Sequence, residues 1–143
     1  MAIKQLSIFV ENKKGAIVNV TDTLAENNVD LRALSIADTQ DFGIMRAIVD
    51  DLENAKTALQ KASIVYSVTD VVAVAVNDIP GGLSTALKIL ADGYIDIEYL
   101  YAFVSGSDNQ AYVALRVIET EEAEKLLASH GIQVLSKDNI KHI

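Results

Sequence analysis

The chain of 143 residues sets 20 Asp and Glu against 12 Lys and Arg, a formal net charge of −8, which argues against a nucleic-acid partner because a polyphosphate needs a basic patch. Half of the residues are hydrophobic and 22% are charged, so apolar surface is left to hide, and oligomerisation is the usual way to hide it. With no cysteine there is neither a disulfide framework nor a thiolate metal site, which fits the cytoplasm.

Ile3 to Val10 alternates as a strand with Leu6, Ile8 and Val10 on one face, and Glu11-Asn12-Lys13-Lys14-Gly15 breaks it. With that strand beginning at the third residue a signal peptide is not expected, and no later run approaches the roughly 18 to 20 apolar residues that span a bilayer. From Ala16 to about Asn27 the apolar residues Ile17, Val20 and Leu24 fall at helical spacing, and Asn27-Asn28 closes the helix. Val29 to Asp38 and Ile44 to Val49 read as a strand pair joined at Thr39 to Gly43. Leu52 to Ala62 is a second helix with Leu52, Ala55 and Leu59 on one stripe, and Ile64 to Val68 is a short closing strand. After Thr69-Asp70 the unbroken apolar run Val71 to Val76 predicts a strand buried on both faces. A helix follows with Leu83, Ala86, Leu87, Leu90 and Ala91, then strands near Ile95 to Val104 and Gln110 to Ile118, a helix over Glu121 to Ser129, and a last strand near Ile132 to Leu135.

The second half repeats the first. Val10, Gly15, Leu24, Ala25 and Asp30 recur as Val76, Gly81, Leu90, Ala91 and Asp96, all displaced by 66 positions. That period exceeds the roughly 20 to 50 residues of solenoid units and suits two copies of a whole small domain, residues 1–69 and 70–143. By Ala55 and Ala123 the offset is 68, so the second hairpin, at Ser105 to Asn109, carries two extra residues in a turn. The order βαββαβ, written twice, predicts an α+β protein of two tandem ferredoxin-like domains, each an antiparallel sheet with both helices on one face.

Val10-Glu11-Asn12-Lys13-Lys14-Gly15-Ala16-Ile17 and Val76-Asn77-Asp78-Ile79-Pro80-Gly81-Gly82-Leu83 each follow a strand and open a helix that ends before Val29-Asp30-Leu31 or Ile95-Asp96-Ile97. These segments resemble the ACT domain, whose pattern is an Asn or Asp, then Pro-Gly and a small or aliphatic residue, a helix, and an Asn-Ile or Asp-Ile strand. The second copy fits closely, whereas the first has Lys14 where proline is usual. Ser35-Ile36-Ala37-Asp38-Thr39, Asp41-Phe42-Gly43-Ile44 and Glu98-Tyr99-Leu100-Tyr101-Ala102-Phe103 extend the resemblance, to stand-alone tandem ACT proteins, over most of the chain. It implies a non-catalytic regulator that senses a small molecule, most often an amino acid, at interfaces between domains or subunits. The alternative is a regulatory or assembly subunit that docks on an enzyme of amino-acid metabolism without binding ligand itself. The resemblance also implies that the strand after each first helix supplies a second wall, here Ser35, Ile36, Ala37 and Asp38, or Tyr99, Tyr101 and Ala102.

The residues make their own case for the loops. A helix that begins at Gly15 or Gly81 leaves its first N–H groups unpaired and carries partial positive charge, so it can hold a carboxylate, and glycine permits a sharp turn and close approach. The candidate ligand residues are Asn12, Lys14, Gly15, Ala16 and Ile17 in one loop and Asp78, Pro80, Gly81, Gly82 and Leu83 in the other, with Asn12 or Asp78 receiving an ammonium group. Plain turn chemistry is the alternative: Pro80 starts the helix and Asn or Asp caps it. Lys13 and Lys14 make the first loop cationic, while Asp78 and Pro80 make the second acidic and rigid. Tyr99, Tyr101 and Phe103 line one strand face, either packed on a partner or forming an aromatic wall for a ligand.

Catalysis finds little support, with only His130 at a helix end and His142 beside the terminus, too isolated to hold a metal. Asp50-Asp51 with Glu53, and Glu119 with Glu121-Glu122, sit where helix dipoles favour acids. Gly81-Gly82 lacks the spacing of a dinucleotide loop. The resemblance, taken with these residues, implies a homodimer with an amino-acid ligand and an effector enzyme as its partner, and no cofactor, metal, nucleic acid or membrane is expected.

Overall fold

The computed structural model describes residues 2–38 and 42–143; Thr39, Gln40 and Asp41, where the first hairpin was expected to turn, lie outside the described residues. In chain order the elements are β1 (Ile3–Glu11), α1 (Ala16–Glu26), β2 (Leu31–Asp38), β3 (Phe42–Val49), α2 (Leu52–Lys61), β4 (Tyr66–Asn77), α3 (Gly82–Asp92), β5 (Tyr99–Ala102), β6 (Gln110–Arg116), α4 (Thr120–Ser129), β7 (Gln133–Val134) and α5 (Lys137–His142). They form two tandem ferredoxin-like βαββαβ units. One compact unit is Lys4–Thr69; the other contains Asp70–Ile143 and the chain's first residues through Ile3.

In the first unit β3 is central, pairing antiparallel with β1 (Leu6↔Ala47 through Glu11↔Phe42) and with β2 (Ser35↔Arg46). The start of β4 adjoins the far edge of β1, where the Phe9 N–H donates to the Val65 carbonyl at 3.0 Å. Because side chains alternate along a strand, Leu6, Ile8 and Val10 share one face with Met45, and that face packs on Val20 and Leu24 of α1 and Ala55 and Leu59 of α2. Burying a side chain of this size is worth about 2 kcal/mol, so this face fixes the register. Ile17, expected on the same stripe, is exposed; it sits in the first turn of α1, beside the loop and beyond the core.

The second unit repeats the plan with β4 pairing β6 and β7, and β6 pairing β5. Val72, Val74 and Val76 pack with Val113 and Leu115 against Ala86 and Leu90 of α3 and Ala123 and Leu127 of α4. Every residue from Val71 to Val76 is buried, as the unbroken apolar run implied. The four long helices end alike: after α1 the Asn28 N–H donates to Ala25 and the Val29 N–H to Leu24, and Ser63-Ile64, Tyr94-Ile95 and Gly131-Ile132 repeat that pair of bonds. This doubly bonded stop satisfies carbonyls the helix leaves open and drops an aliphatic residue onto the core.

Three expectations change. The strands read at Ile64 to Val68 and Val71 to Val76 are one strand, β4, because Thr69-Asp70 contains neither glycine nor proline and the Asp70 carbonyl is held by Arg116 Nη1 at 2.8 Å. β5 covers only Tyr99–Ala102, since Ile95 is spent closing α3. Beyond β7, where the expected elements ended, the chain forms a further helix, α5: Ser136 and Asn139 make a reciprocal cap and Ile140 is buried. No helix among the described residues is long and apolar enough to cross a membrane.

Candidate functional site

The two strand-to-helix loops share three backbone hydrogen bonds. After β1 the Lys13 N–H donates to Glu11, Ala16 N–H to Lys13 and Asn19 N–H to Gly15; after β4 the Ile79 N–H donates to Asn77, Gly82 N–H to Ile79 and Thr85 N–H to Gly81. Gly15 (φ 84°, ψ −6°) and Gly81 (φ 86°, ψ −5°) are the N-caps, both left-handed, and neither helix has a side-chain cap. Only glycine adopts that conformation without strain. Asn12 and Asp78 are therefore not caps, and Pro80 precedes the helix instead of starting it. The N–H groups of Ile17 and Val18, and of Leu83 and Ser84, have no intrahelical acceptor, and the space beside Gly15 and Gly81 is open.

Each loop borders a cleft, of about 520 Å³ in the first unit and about 450 Å³ in the second. The clefts are built from equivalent positions. Phe9, Val10, Glu11, Lys13, Lys14, Gly15, Ala16, Asn19, Phe42, Ser63, Ile64 and Val65 line the first; Ala75, Val76, Asn77, Ile79, Pro80, Gly81, Gly82, Thr85, Gln110, Gly131, Ile132 and Gln133 line the second. β-sheet register brings Phe42 and Gln110 in, because they pair with Glu11 and Asn77. The connection into the last strand of each unit supplies Ser63 to Val65 or Gly131 to Gln133.

The walls differ. In the first cleft the Phe9 and Phe42 rings meet at 6.3 Å, and Lys13 pairs with Glu11 at 3.0 Å. Lys14 makes no ion pair among the described residues. The second cleft puts Ala75 and Gln110 in place of the rings and Ile79 and Pro80 in place of the lysines. Its loop is also tighter. A Cβ at Gly82 would clash with the Asn77 carbonyl, whereas the equivalent Ala16 carries one.

Of the sequence candidates, Lys14, Gly15 and Ala16 come together in one cleft and Pro80, Gly81 and Gly82 in the other. Asn12, Ile17, Asp78 and Leu83 line neither cleft: Asn12, Ile17 and Asp78 face solvent, and Leu83 packs against the core. Ser35, Ile36, Ala37 and Asp38 lie on β2, which β3 separates from β1, and Tyr99, Tyr101 and Ala102 lie on β5, which β6 separates from β4. A strand's width of about 5 Å at each step keeps them from the loop of their own unit. Tyr101 pairs with Ala114 on the sheet face away from the helices, stacks on Tyr99 at 6.4 Å and is buried, as is Phe103, whose ring meets Tyr112 edge-on at 6.3 Å. The aromatic row is thus packed within the chain and lines neither cleft. Phe9, Phe42 and Val65 are the residues sequence reasoning missed. Their signal was the strand order, since a ferredoxin-like sheet sets the third and fourth strands on either side of the first.

The histidines and the acids at the starts of the second helices lie at helix ends or in bonds between elements. His130 Nδ1 lies 3.0 Å from the Leu126 carbonyl at the end of α4, and His142 closes α5. Asp51 caps α2 by accepting from the Asn54 N–H at 3.1 Å, Asp50 accepts from the Asp30 N–H at 2.9 Å, and Glu121 and Glu122 occupy the first turn of α4. Among the described residues no cluster of three His, Asp or Glu is placed to hold a metal.

A family model described as an ACT domain pair matches residues 1–143. Among solved structures the chain is similar to protein BT0572 from Bacteroides thetaiotaomicron, at 36% identity and a TM-score of 0.93, covering 100% of this chain and 98% of that one. The regulatory subunit of aspartate kinase from Thermus thermophilus, in a ligand-free form, shares 16% identity at a TM-score of 0.64 over 90% of this chain and 91% of that one. The Thermus flavus regulatory subunit shares 14% at 0.61, over 90% and 92%. At these lower identities the likeness is one of fold. No curated protein matches the sequence.

Proposed function

The chain belongs to the ACT domain pair family, and on that premise we propose that it is a non-catalytic regulatory protein that binds an amino acid at its strand-to-helix loops. The observation that carries this is the loop itself: a glycine N-cap with no side-chain cap, N–H groups without intrahelical acceptors, and a cleft beside them. Such a terminus holds a carboxylate through backbone N–H groups and the helix dipole. Within a unit an intervening strand keeps Ser35 to Asp38, or Tyr99 to Ala102, away from the loop, so in this proposal a second protomer supplies that wall and the working form is a homodimer. Ligand then favours the arrangement that binds it better, and an effector enzyme responds.

A thermal-shift screen of the twenty amino acids tests the proposal. Ligand at about 100 times its dissociation constant adds about 2.7 kcal/mol, which raises the melting temperature by several degrees. A rise confined to one or a few amino acids is expected. No rise with any of them at millimolar concentration contradicts the proposal and favours a docking subunit that binds no ligand.

A further inference from the structure

Resting on that reading, we propose that the two clefts bind different chemistry: the first takes a carboxylic acid with an aromatic or bulky aliphatic side group, and the second does not. The helix N-termini are alike and cannot make this distinction, so it comes from the side chains around them. Phe9, Phe42 and Val65, which are 44%, 42% and 66% exposed, line one cleft. Their equivalents are Ala75, Gln110 and Gln133, a small residue and two amides.

Charge follows the same division. Lys13, paired with Glu11, and Lys14, in no ion pair among the described residues, both line the first cleft and can meet an incoming carboxylate, while Ile79 and Pro80 offer the second cleft no cation. Lys14 and the Phe9–Phe42 pair line the same cleft, so a ligand whose carboxylate meets Lys14 can offer an aromatic or branched group to the rings. A volume of about 520 Å³ lies within the roughly 300 to 1,000 Å³ of small-molecule sites.

Titration calorimetry on the full chain tests this with L-phenylalanine, L-leucine, L-serine, L-aspartate and 2-phenylethylamine, the last an aromatic amine without a carboxylate. L-Phenylalanine or L-leucine is expected to bind at least about tenfold tighter than the others, and Phe9→Ala with Phe42→Gln, which writes the second cleft's residues into the first, to remove about that factor. Lys14→Gln should narrow the gap between L-phenylalanine and 2-phenylethylamine, a change in selectivity that a loss of folding would not produce; unaltered melting curves confirm that the variants fold. If L-serine or L-aspartate binds best, or if the swapped residues leave affinity unchanged, the assignment is overturned while loop binding stands, provided Gly15→Val or Gly81→Val abolishes it. If no amino acid binds, the loop reading falls first and the assignment with it.

Discussion

The loops after β1 and β4 are the same backbone carrying different side chains. Three of their turn bonds coincide and the φ angles of Gly15 and Gly81 differ by only two degrees, at 84° and 86°, yet where the first cleft has Phe9, Phe42, Lys13 and Lys14 the second has Ala75, Gln110, Ile79 and Pro80. The hydrogen bonds and left-handed glycine are what a strand-to-helix turn requires, so both copies keep them. Side chains facing the cleft carry no share of the turn, and there the copies diverge.

The largest effect expected from this comparison is at the closest backbone contact. Gly82→Ala should cost about 3 kcal/mol in urea denaturation, because the Asn77 carbonyl must move; Ala16→Gly at the equivalent position should cost less than about 1 kcal/mol. Equal losses would break the claim that the second loop is the tighter. Gly15→Val and Gly81→Val should each cost about 1 to 2 kcal/mol, from the left-handed backbone alone, since both have open space beside them. A clear inequality there would show that the turns are less alike than their angles. At the second helices, Asp51→Ala should lose about 1 kcal/mol with its cap bond, whereas Glu119→Ala, which makes no such bond, should leave the urea midpoint nearly unchanged. Smallest is Glu11→Ala, which breaks an exposed ion pair that the second loop lacks and should cost no more than about 0.5 kcal/mol, fading with salt.

Most of the fold was legible because it is local. Hydrophobic periodicity located the helices and strands, the Asn27-Asn28 stop is a real helix end, and the repeat checked each half against the other. α5 was missed although Ser136 and Asn139 stand at capping-box spacing ahead of Ile140. The join within β4 was missed because two polar residues read as punctuation where the backbone stays extended. The site was legible only in part. Lys14, Gly15, Pro80 and Gly81, neighbours in the sequence, line clefts, but Phe42 reaches the first cleft by pairing with Glu11 and Val65 through its carbonyl bond to Phe9, which no local spacing displays. Tyr101 stands on the strand face that period two named, and it is buried within the single chain, because period two names a strand face without saying what covers it.

The most direct measurement is a crystal structure of the full chain grown with millimolar L-phenylalanine. The account requires ligand density in the first cleft, its carboxylate at Lys14 and its ring against Phe9 and Phe42, with the cleft at Pro80 and Gly81 free of it. Equal density in both clefts, or density in neither, contradicts the account.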